Sequence, residues 1–163
     1  MKSHSFVRAK GTGTVQVAMT ELRTEIEIAA SAGDVWRILT DLSGYPEWNP
    51  FIKRAEGEPR EGERLKVFIQ PPGGTRMAFK PVVTRLIPER EFRWLGHLLV
   101  PGLFDGEHIF ELQPLENGGV RFIQSERFRG VLVPLLKKTL LKSEQGFREM
   151  NEALKRRAEK GDP

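Results

Sequence analysis

Between Arg64 and Phe128 the chain is written in short runs of alternating apolar and polar residues, separated by turn formers. From Pro134 a single helical pattern takes over. This order constrains the fold more than any other feature. Successive strands joined by short turns favour an antiparallel sheet. The closing pattern predicts one helix over about residues 133–158, roughly 26 residues or ~39 Å long, with Pro134 in its first turn. A helix about as long as the sheet can cover the sheet's apolar face. Its inward stripe reads Leu136, Leu140, Ser143, Phe147, Met150 and Leu154. Ser143 is small and polar within that stripe. Gly146 sits mid-helix, where glycine costs ~1 kcal/mol relative to alanine. Close packing explains such small residues, and so does space left for a ligand.

The segment "GEHIFELQPLENGGVRFIQSERF" (106–128) contains the clearest hairpin. A three-residue loop, Glu116-Asn117-Gly118, places Gly118 where such loops need left-handed backbone. That loop sets Leu112 opposite Phe122, Phe110 opposite Gln124, and His108 opposite Glu126. Ile109, Glu111, Gln113, Arg121, Ile123, Ser125 and Arg127 then face outward. A one-residue slip would expose the phenylalanines. His108 and Glu126 become cross-strand neighbours with side-chain bases ~5 Å apart. An inward carboxylate is costly unless paired, and the histidine is its expected partner. The trio His108, Gln124 and Glu126 is either a self-satisfied polar cluster or the polar patch of an apolar pocket. In a catalytic role, His108 and Glu126 would be general acid and base.

Before the hairpin, "LRTEIEI" (22–28) alternates as a strand with one wet side. Ser31 and Asp34 form a capping box for a short helix carrying Val35, Ile38, Leu39 and Leu42. Gly44, Pro46 and Pro50 end it, with room for one more short helix. Strands are expected at 64–70, 76–87 and 90–98, the second broken by Pro81 at an edge or bulge. Residues 1–19 are read as a weakly ordered N-terminal extension and residues 20–160 as one domain.

The chain of 163 residues has no cysteine and three histidines. Thiolate chemistry, disulfides and cysteine zinc sites are excluded, and scattered histidines make a metal site unexpected. No nucleophile elbow, P-loop or H-E-x-x-H is present. The net charge is +4, but acids interleave with bases along the last helix, the mark of a solvated face rather than a nucleic-acid or anionic-membrane patch. No apolar run is long enough to span a membrane, and no secretory signal is recognisable. The expected location is cytoplasmic. No cofactor is expected.

The first strand leading into "SAGDVWRILTDLSGYPEWNPFI", then "EFRWLG", then the hairpin, then the long helix together resemble the START-like (SRPBCC) superfamily, in its polyketide cyclase/dehydrase and lipid-transport branch. The resemblance implies an α+β helix-grip fold. In it a curved antiparallel sheet, here of six to seven strands, wraps a long C-terminal helix, with two short helices after the first strand. It also implies a cavity between sheet and helix that takes a small hydrophobic molecule, lipid or polyketide-like. Candidate lining residues are Trp48 as a gate, Phe79, Phe92, Trp94 and Phe110 as walls, and Phe104 in a lid, with Phe122, Leu140, Ser143 and Phe147 beside the trio His108, Gln124 and Glu126. The leading expectation is a non-catalytic binding protein. A cyclase, aromatase or dehydratase using His108 and Glu126 is the first rival, and a protein-binding adaptor the second. The apolar "GHLLVPGLFDG" (96–106) suits a lid, transient membrane contact or a loop packed against the core.

Overall fold

A computed structural model describes residues 19–161. The expected N-terminal extension lies outside the described residues, apart from Met19, which opens the first strand. The strands are β1 (Met19–Ile28), β2 (Ile52–Glu56), β3 (Lys66–Ile69), β4 (Met77–Phe79), β5 (Val82–Ile87), β6 (Glu91–His97), β7 (Asp105–Pro114) and β8 (Val120–Arg129). The helices are α1 (Ala32–Thr40), α2 (Tyr45–Trp48) and α3 (Lys137–Lys160). A 3-10 turn at Leu42–Gly44 links α1 to α2, and another at Val133–Leu136 leads into α3. The fold is α+β, as expected.

The strands form a five-stranded antiparallel sheet in the order β1-β8-β7-β6-β5 and a three-stranded one in the order β2-β3-β4. The expectation was one sheet of six to seven strands, and the division has a local cause. Pro81 cannot donate to a ladder, so the 76–87 run splits into β4 and β5 around it. The two sheets remain joined through the segment before β3. Leu65 N donates to Pro81 O (2.8 Å), Val83 N to Glu63 O (2.9 Å) and Gly62 N to Val83 O (2.9 Å).

Ser31 caps α1 as its spacing predicts: its hydroxyl accepts from Asp34 N at 3.1 Å and donates to the Asp34 carboxylate at 2.6 Å. The β7–β8 register follows the turn parity throughout, with Leu112 opposite Phe122, Phe110 opposite Gln124 and His108 opposite Glu126. Gly118 adopts φ +82°.

The core lies between the five-stranded sheet and α3, where Phe92, Phe110, Phe122, Phe147, Met150 and Leu154 are fully buried. The C-terminal half of α3 is fastened along β1. Asn151 Nδ2 donates to Thr24 Oγ1 (3.0 Å), Lys155 Nζ to Glu27 O (2.6 Å), and Ala29 N to Glu159 Oε1 (2.8 Å).

One expectation about the outer face needs correction. Ile109, Ile123 and Ser125 do face outward, yet they are as buried as core residues. Arg93, Glu107, Arg127 and Glu21 run across the outer face as a chain of ion pairs, from Arg93–Glu107 to Arg127–Glu107 and Arg127–Glu21. The aliphatic stems of such side chains cover apolar neighbours while the charged heads stay in water.

Candidate functional site

Two ranks of residues cross the core-facing side of the large sheet. One runs Trp94, His108, Glu126, Leu22 and the other Phe92, Phe110, Gln124, Thr24, each rank on β6, β7, β8 and β1 in turn. Even-parity positions on these strands all point toward α3. The polar trio therefore sits within an aromatic wall. His108 is 4% exposed. Its ring stacks on Trp94 (centroids 5.1 Å apart, 19° between planes) and meets Phe110 at 4.5 Å and Phe147 at 5.1 Å edge-on.

The hydrogen bonding orders this trio. His108 Nδ1 lies 3.4 Å from Glu126 Oε2, and His108 Nε2 lies 3.1 Å from Gln124 Nε2. A carboxylate facing Nδ1 places the proton there, so Nε2 accepts from the Gln124 amide. The same amide nitrogen points at Met150 Sδ, 3.4 Å away. Two acceptors on the nitrogen side fix the amide orientation and turn Gln124 Oε1 away. That oxygen is buried with no hydrogen-bond partner. Glu126 retains 18% side-chain exposure, so the trio runs from the protein's edge into its interior. Gly106 makes this possible, because a Cβ there would lie 2.8 Å from Glu126 Oε1.

A second polar group adjoins the first, and the alternation pattern did not single it out. Thr24 Oγ1 donates to the Gln124 carbonyl at 3.4 Å and accepts from Asn151 Nδ2 at 3.0 Å. Asn151 Oδ1 is a second buried oxygen without a partner. The available signal was Asn151 itself, a polar residue directly after Met150 on the flank of the apolar stripe. Asn49 is also buried. Its Oδ1 accepts from Phe51 N (3.0 Å) and Ile52 N (2.8 Å), fixing the chain as it enters β2.

The structure brings Phe92, Trp94, His108, Phe110, Phe122, Gln124, Glu126 and Phe147 into one cluster. Leu140 and Ser143 are buried on α3. The other three candidates lie apart from that aromatic chain. Trp48 packs against Tyr45 with centroids 5.2 Å apart. Phe79 is half-buried on β4 of the small sheet, and Phe104 stacks on Phe128. The space beside Gly146 is filled. A Cβ there would lie 2.3 Å from Phe51 Cδ2, so close packing accounts for that glycine. Two surface hollows, of about 370 and 450 Å³, include none of the expected lining residues. Among the described residues no group of His, Asp and Glu could hold a metal ion, and no helix is long and apolar enough to cross a membrane.

The family described as polyketide cyclase / dehydrase and lipid transport matches residues 19–159. The chain belongs to this family. No curated protein matches it. A START superfamily protein from Mycobacterium smegmatis is similar in structure, with a TM-score of 0.67 at 21% identity over 86% of this chain and 97% of that one. The Zhui aromatase/cyclase from Streptomyces sp. R1128 gives 0.72 at 16% identity over 88% and 95%. A protein from Thermus thermophilus gives 0.69 at 19% over 88% and 100%. At these identities the likeness to solved structures concerns the fold. As a member of the polyketide cyclase/dehydrase and lipid-transport family, this chain carries its polar trio on the core-facing side of the sheet, with His108 and Gln124 against Phe147 and Met150 of α3.

Proposed function

We propose that this domain binds a small hydrophobic molecule bearing a hydroxyl group, between the large sheet and α3. The observation that carries this reading is Gln124 Oε1, a buried acceptor without a partner inside an aromatic wall. Leaving such a group unpaired costs about 1–3 kcal/mol. A ligand O–H would satisfy it while its rings pack on Trp94, Phe110 and Phe147. An apolar pocket with a few convergent polar groups is the general form of small-molecule sites. His108 and Glu126 hold the Gln124 amide in the orientation that presents this oxygen. Room for the ligand comes from displacement of the Phe51 ring beneath Gly146.

A catalytic reading needs His108 Nε2 to face a substrate, and that atom already holds the Gln124 amide at 3.1 Å. Binding is therefore the better-supported role, and lipid-like or polyketide-like phenols and enols are the fitting ligand class.

Titration with 2-naphthol and 2-methoxynaphthalene tests this, read by tryptophan quenching and by calorimetry. The hydroxyl compound should bind about 3–10-fold more tightly, the worth of one net hydrogen bond. Gln124→Leu should abolish that preference, and Phe51→Ala should tighten both probes. Equal affinity for the two probes in the native protein would defeat the proposal.

A further inference from the structure

Among the described residues the large exposed apolar side chains are Met19, Leu98, Leu99, Val100, Val131, Leu135 and Leu141, and the first five lie on segments that meet at one end of the fold. Single exposed apolar residues are ordinary, but grouping is not. Three segments meet here. Met19 pairs with Arg129, which pairs with Asp105, which pairs with His97, so the start of β1 and the ends of β8 and β6 lie together. The β6–β7 loop is tied back on itself by Leu98 N to Phe104 O (2.8 Å). It is bonded to the segment after β8 through Val131 N to Gly102 O (3.3 Å) and Leu132 N to Leu103 O (3.0 Å). Leu99, at the loop's tip, is 84% exposed and held at φ +68°. That is an unusual backbone for leucine.

The chain that leaves β8 at this end is one-sided in charge. Residues 128–142 include Arg129, Lys137, Lys138 and Lys142 and no acid. The four basic residues are exposed, and the first turn of α3 contains no acidic residue. The one carboxylate of the loop, Asp105, is turned inward onto its own loop, accepting from Gly102 N at 3.0 Å and contacting His97 Nδ1 at 2.7 Å. An apolar tip flanked by unopposed lysines matches the surface of a bilayer containing anionic lipid. A protein partner of the same chemistry would need an acidic rim around an apolar socket.

We propose that this end of the fold docks on an anionic bilayer surface, with Leu99, Val100 and Val131 entering the interface and Lys137 and Lys138 held over the headgroups. The docked orientation stands the strands of the large sheet on end over the membrane. The β7–β8 turn, at the opposite end of the hairpin, then points away from it. This inference is independent of the ligand proposal, since no residue of the polar trio takes part.

The test uses vesicles of pure phosphatidylcholine and of equimolar phosphatidylcholine and phosphatidylglycerol. The protein should sediment with the anionic vesicles and not with the neutral ones, and added salt should weaken binding. Lys137→Gln with Lys138→Gln should weaken it roughly thirtyfold. Leu99→Ser should weaken it on the order of tenfold. Because the chain has no cysteine, a single Leu99→Cys or Glu116→Cys can carry a nitrobenzoxadiazole probe. The probe at 99 should shift to the blue on anionic vesicles and the one at 116 should not. Gln124→Leu should leave vesicle binding unchanged. Three results would overturn the proposal: equal binding to both vesicle types, equal probe shifts at 99 and 116, or concentration-dependent self-association removed by Leu99→Ser without vesicle binding. The last would assign the surface to a second copy of the chain.

Discussion

Consider Gly146→Ala. In an open helix interior this change stabilises by about 1 kcal/mol. Here the added methyl would lie 2.3 Å from Phe51 Cδ2 and 2.8 Å from Phe51 Cε2. Phe51 is 2% exposed, and its ring meets Phe147 edge-on with centroids 5.3 Å apart, so it can yield only by disturbing that packing. Overpacking of this kind costs about 1–3 kcal/mol. The two effects together leave the variant between unchanged and about 2 kcal/mol less stable. Phe51→Ala alone should cost about 3–5 kcal/mol. In that background the clash is gone, and Gly146→Ala should stabilise by the full ~1 kcal/mol. The effect of the alanine thus differs by about 1–3 kcal/mol between backgrounds, against ~0.5 kcal/mol for independent sites. Urea unfolding of the four proteins, with m-values compared, measures the difference. An identical effect of Gly146→Ala in both backgrounds would refute the packing argument, and with it the assignment of Phe51 as the occupant of that space.

Other perturbations separate the remaining roles. Asn49→Ala orphans two buried backbone N–H groups and should destabilise by about 2–4 kcal/mol in denaturant. His108→Ala removes a ring stacked on Trp94 and an acceptor for Gln124, for an expected loss of about 2–4 kcal/mol. Glu126→Gln, at a long and partly exposed contact, should cost less than about 1 kcal/mol; a larger loss would mean that the carboxylate pair is structural. The hydrogen bond from the Ser31 hydroxyl, then that from Arg37, holds the Asp34 carboxyl below its ordinary range. Its folded form is therefore the more acidic, so its contribution is complete above the ordinary carboxylate range and is lost as pH falls through the folded value. Asp34→Asn should lower stability at neutral pH and shrink the acid-induced loss, as followed by thermal melts across that range.

Most of the site's geometry was legible because turn chemistry and alternation act over short distances. Glu116-Asn117-Gly118 fixes the register of β7 and β8, and the register fixes which side chains meet. Ser31 with Asp34 and Pro81 in its strand were equally local. What escaped depends on contacts between distant segments. Phe51 lies in a Pro-bounded turn without periodicity, so nothing local shows that its ring reaches under Gly146. Asn151 reads as a flank residue until Thr24 is placed opposite it. Ile109 and Ile123 show the limit of alternation. It assigned their face correctly, but not their burial at 2% exposure on that face.

The fastening of α3 has a mechanical consequence. Apart from Lys142 Nζ to Gly73 O at 3.3 Å, the polar ties from α3 to the rest of the described fold begin at Met150 and continue to Glu159. The helix is clamped along its C-terminal half, and its N-terminal half, entered from the bonded segment at Leu132, has Lys142 as its one polar tie and otherwise rests on side chains near Leu140 and Ser143. A load beneath that N-terminal half should displace it more than the clamped half. Amide exchange should report this as a gradient, slow at 150–158 and faster at 139–147, and a bound probe should flatten it from the fast side.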